Sequence, residues 1–98
     1  MDRKRLKAYC NLFAGAWGLF LASVDHFNEA GTERFWEQLN ESGNAYYAEN
    51  KAVNKELAYE IAKLTRKAIE DEYKLYLETK TEFEYIQEEL PFGNVKPR

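Results

Sequence analysis

Residues 6–27, LKAYCNLFAGAWGLFLASVDHF, hold Leu6, Cys10, Phe13, Trp17, Phe20, Val24 and Phe27 at successive intervals of 4, 3, 4, 3, 4 and 3. That alternation puts all seven on one seam of a helix, where they can press continuously against a partner. No proline interrupts the chain between Asp2 and Phe27. The spacing therefore predicts one long helix with a self-association seam.

A second series, Asn11, Gly15, Gly18, Ala22 and Asp25, lies on the opposite side. A glycine inside a helix costs ~1 kcal/mol relative to alanine. Close approach of another helix at Gly15, Gly18 and Ala22 is the usual compensation. Leu12 and Leu19 occupy a third face, so the middle of this helix is apolar almost all round. Such a helix is central and buried. A chain of 98 residues offers few other apolar helix faces to cover three sides of it. A homo-oligomer, with a dimer favoured, is the expectation.

Downstream, Gly31 reads as the residue just past the first helix and Thr32 as the cap of a short second one. Phe35, Trp36 and Leu39 give that helix its apolar side, and Ser42-Gly43-Asn44 reads as its end. From Ala45 to Thr79 there is neither glycine nor proline, and apolar residues recur at helical spacing. This predicts a long third helix, antiparallel to the first, with Asn54 as an irregularity. Phe83, Ile86 and Leu90 then suggest a short C-terminal helix before Pro91. The expected fold is an all-α small bundle of three to four helices, with residues 1–92 as one domain and 93–98 as a tail.

Hydrophobic residues at 45% and charged ones at 32% exclude a wholly disordered chain. A single cysteine cannot form an internal disulfide, which points to a reducing, cytoplasmic setting. The net charge of −3 argues against a polyanion-binding protein. A basic start followed by Ala8–Val24 has the outline of a signal peptide, but Asn11 interrupts the apolar run and no small-x-small cleavage site follows. Those residues would span roughly 25 Å as a helix, short of the ~30 Å hydrocarbon core. A membrane partner is not expected.

Glu33, Glu37 and Glu41 form a row on one helix face with little lysine or arginine nearby. Like charges at this spacing destabilise a helix by ~0.2–0.5 kcal/mol per pair. With Trp36, Tyr46 and Tyr47 close by, they make a candidate surface for docking on the basic site of a protein partner, as a regulator or inhibitor. Arg3, Lys4, Arg5 and Lys7 carry the alternative of a nucleic-acid-associated accessory protein. Insertion of the first helix into a membrane is a third reading. Asp25, His26 and Glu29 lie within a turn, but with one histidine in the chain they do not make a metal ligand set. There is no glycine-rich phosphate loop and no recognisable nucleophile. The chain reads as non-enzymatic, with no cofactor.

Overall fold

Asp2 opens the first helix, its carboxylate accepting from the Arg5 amide at 2.8 Å. This satisfies one of the amides a helix start leaves without a partner. A computed structural model describes residues 1–89, with side chains through residue 79. It contains α1 (Arg3–Val24), a single 3-10 turn (Phe27–Glu29), α2 (Glu33–Asn50) and α3 (Lys55–Glu89). The described residues include no strand. The expected short fourth helix of Phe83, Ile86 and Leu90 has its side chains outside this description. The boundary at residue 92 and the tail 93–98 also lie outside it.

The α1–α2 corner differs in detail from the expectation. Helix α1 stops at Val24, so Phe27 leaves the helix and enters the core from the 3-10 turn. Gly31 takes a negative φ like every described glycine, so it is no left-handed cap. Thr32 closes the corner instead: its hydroxyl donates to the Glu29 carbonyl at 2.8 Å and accepts from the Phe35 amide at 3.4 Å.

The larger correction concerns Ser42-Gly43-Asn44, which does not end α2. One interior glycine costs ~1 kcal/mol, whereas carrying the helix on buries Tyr46 and Asn50 on the face that already holds Phe35 and Leu39. Burying a large side chain is worth about 1.5–3 kcal/mol, so the helix continues. The true break comes at Asn54, whose side-chain oxygen accepts from the Leu57 amide at 3.0 Å and caps α3. That corner is tied to α1 by the Asn54 amide on the Tyr9 hydroxyl at 3.1 Å and by Arg5 on the Val53 carbonyl at 3.1 Å.

Because α2 makes a full return, α3 runs parallel to α1, not antiparallel as expected. Asn54 meets Tyr9 at one end, and Phe27 meets the rings of Tyr73 and Tyr76 at 5.4 and 5.5 Å at the other. The bundle is up-down-up. Its core has two parts: Leu12, Ala16, Tyr46 and Ala58 near the Tyr9 end, and Phe27, Ala30, Phe35, Leu39 and Ile69 near the other.

Tyr46 joins α2 to α1. Its ring lies across Gly15, where an added Cβ would stand 3.1 Å from the ring edge. Its hydroxyl donates to the Leu12 carbonyl at 2.6 Å. Burial raises its pKa above the usual tyrosine value. Ionisation is therefore harder in the folded chain than in the unfolded one. The resulting stability is full below pH ~10 and falls as pH rises from there through the folded pKa. Thermal melts from pH 8 to about 11 should show an alkaline decline that Tyr46→Phe reduces, at a cost near neutral pH of about 1 kcal/mol for the lost hydrogen bond.

Gly43 is the opposite case, since an added Cβ there meets nothing within 4 Å. Gly43→Ala should stabilise the fold by about 0.5–1 kcal/mol. Gly15→Ala should give no such gain, because the Tyr46 ring must shift. Chemical denaturation of the two variants side by side measures the difference.

The molecule is long and thin. Its extents are 61 × 31 × 16 Å and its radius of gyration is 18.5 Å, against about 13 Å for a compact chain of this size.

Candidate functional site

Helix α1 packs into its own chain mainly through Leu12, Ala16 and Ser23, with Leu19 half-buried beside them. These lie on a face adjacent to the four-three seam rather than on it. The upper seam consequently faces solvent: Leu6 and Trp17 are each 60% exposed and Phe13 is 54% exposed. Cys10 is an exposed free thiol between them. Lower down, Phe20 and Val24 are half-buried and Phe27 is buried. The seam thus passes from open surface into the core over its own length.

The exposed seam borders α3. Trp17 and Phe20 stand across from Ile61, Leu64 and Ala68 in one apolar depression. A second, lined by Phe20, Val24, Leu75 and Tyr76 with Glu72 at its margin, continues the same groove toward the Phe27 end. Leu64 is 61% exposed and Leu75 is also exposed. Trp17 and Phe20 stack at 5.9 Å and present a flat aromatic surface. Large exposed apolar patches are commoner at interaction sites than elsewhere on protein surfaces. The sequence pointed to the α1 half. The α3 half was hidden, because Leu64 and Leu75 sit in a helix whose other apolar residues are core.

Of the residues proposed for close packing, Gly15 touches the Tyr46 ring, Gly18 has open space around an added Cβ, and Ala22 is exposed. The contact at Gly15 is with an aromatic side chain and not with a second backbone.

Glu33, Glu37 and Glu41 are exposed on α2, and among the described residues none is in an ion pair. The described pairs are Arg66–Glu70 and Lys67–Asp71, both 2.9 Å and both within α3. The aromatic residues grouped with the acidic row belong chiefly to the fold. Trp36 donates to the Ala30 carbonyl at 2.8 Å and packs edge-on to Phe35 and Tyr73. Tyr46 is buried, and Tyr47 is half-buried against Tyr59. The acidic row stands without an aromatic centre.

Arg3, Lys4, Arg5 and Lys7 are exposed, but Arg5 is committed to the Val53 carbonyl and lies over the Tyr9 ring. His26 hydrogen-bonds through Nδ1 to the Ala22 carbonyl at 2.9 Å. Among the described residues there is no group of three or more metal-ligating side chains, and no helix is long and apolar enough to cross a membrane.

Charge is divided between the two ends of the bundle. Residues 2–7 and 49–56, at the Tyr9 end, carry six cations and three anions. Residues 25–37 and 67–78, at the Phe27 end, carry eight anions and three cations. A separate cleft of about 440 Å³ opens between α2 and α3, lined by Leu19, Leu39, Gly43, Tyr47, Tyr59 and Arg66. Arg66 is held there by Glu70 and Asn40 and lies over Trp36. Comparisons with protein-family models, with curated proteins and with solved structures find no match.

Proposed function

We propose that this chain is a non-enzymatic helical interaction protein that self-associates through the α1 seam and the adjoining edge of α3. In this reading the acidic row of α2 is its outward surface and docks on a basic site of another protein, as a regulator or inhibitor. The observation that carries the reading is the line of large apolar side chains, Leu6, Phe13, Trp17 and Leu64, each more than half exposed on one side of the bundle. A chain with a small core has little reason to leave such residues in water unless a partner covers them. The exposed thiol of Cys10 suits a reducing, cytoplasmic setting.

Light scattering on the reduced protein tests the first half of this proposal. The expected result is a particle of twice the 11.5 kDa chain mass, dissociating on dilution; a monomer at all concentrations removes it. Reversal of Glu33, Glu37 and Glu41 to lysine tests the second half. It should abolish capture of a basic partner and leave the melting temperature nearly unchanged, since all three side chains are exposed. Capture that survives the triple reversal places docking elsewhere.

A further inference from the structure

We infer that the second copy lies antiparallel across the α1–α3 groove in a two-fold dimer, the basic end of each chain covering the acidic end of the other. This rests on the self-association reading above and specifies its geometry. A two-fold interface brings the same patch of both copies together, so the seams of α1 can meet in parallel or antiparallel. The two arrangements differ in charge.

Parallel pairing sets the cation-rich Tyr9 end against itself and the anion-rich Phe27 end against itself. Antiparallel pairing sets each against its opposite. The charges at issue are close to the groove. Arg3 lies one turn before Leu6 on the seam and Lys7 beside it, while Glu72 borders the groove at the far end and Glu78 lies one turn past Leu75. Charges on opposing copies at such an interface fall within the ~8–10 Å screening length, so their sign matters to association.

The seam and groove supply large apolar side chains to such an interface, with Leu6, Phe13, Trp17, Leu64 and Leu75 each more than half exposed. The geometry also separates the thiols. Centred on Trp17, the middle residue of the seam, antiparallel pairing places Cys10 of one copy across from Val24 of the other. Fourteen residues of helix rise are about 21 Å, beyond the ~7 Å limit for bridging two cysteines. Parallel pairing would bring the two Cys10 side chains face to face.

The test uses the full chain in sedimentation equilibrium at about 50 and about 500 mM salt, with diamide oxidation of the same samples. Alongside it run Arg3→Glu with Lys7→Glu, Glu72→Lys with Glu78→Lys, and the four changes combined, each checked by circular dichroism. The expected result is a dimer that weakens about tenfold or more at high salt. Either pair of reversals should weaken it similarly, the combined variant should recover it, and oxidation should yield no disulfide-linked dimer. A dimer that tightens with salt, ignores the reversals and is trapped through Cys10 overturns the antiparallel arrangement and leaves self-association standing. A monomer under both conditions overturns both.

Discussion

Trp17→Asp is expected to convert the proposed dimer into a folded monomer. The side chain is 60% exposed and its described ring contact is the stack on Phe20. Removing it from the isolated chain therefore sacrifices little packing. At an interface the same residue would be the largest apolar anchor near the centre of the seam. Truncating a buried interface tryptophan costs about 2–4 kcal/mol, and an unpaired carboxylate in its place adds a desolvation penalty. The dissociation constant should rise from roughly thirtyfold to several hundredfold, with the melt of the monomer within a few degrees of the parent extrapolated to low concentration. Light scattering across a dilution series, with circular dichroism on the same samples, reads both quantities. Unchanged association would remove α1 from the interface.

Ile69→Ala is expected to have the reverse profile, with a large loss of stability as its primary effect. Ile69 is fully buried among Phe27, Ala30, Phe35 and Leu39, and with Leu12 it is one of the two largest completely enclosed side chains among the described residues. Such truncations cost about 2–5 kcal/mol, the lost transfer energy plus the cavity left behind. A domain of this length has of order 5–15 kcal/mol in total, and its small core argues for the lower part of that range. The melting temperature should fall on the order of 15 °C. Leu64→Ala is the control. At 61% exposure it should leave the monomer's stability almost unchanged while weakening association. Equal destabilisation by the two would contradict the division between core and groove.

The contrast between Ile69 and Trp17 also shows what the amino-acid pattern could and could not convey. Periodicity identified α1 as a helix and its seam as a continuous apolar stripe. It could not tell which of three apolar faces the chain itself would use, because hydrophobicity carries no address. Leu12 and Ala16 won that role through Tyr46 and Ala58, which come from far along the sequence. The Gly43 misreading has a different cause. Local chain-breaking tendency is worth ~1 kcal/mol, and burial of Tyr46 on the same helix exceeds it. Asn54 was legible as an irregularity, but its capping role needed the Leu57 amide and the Tyr9 hydroxyl in view. Once α2 lengthened, the direction of α3 reversed. The acidic row survived intact as an exposed face because it depends only on spacing along one helix.

The up-down-up order has a kinetic consequence. Tyr9 with Asn54 and Phe27 with Tyr73 join residues about 45 positions apart, against 34 for Leu12 with Tyr46 on successive helices. Each doubling of a loop adds only ~0.6 kcal/mol of closure entropy, so all three helices are expected to dock in one step. The groove between α1 and α3 comes into being only at that step. The proposed binding face would thus exist only in chains whose three helices have docked, and assembly through it would select for molecules that have finished folding.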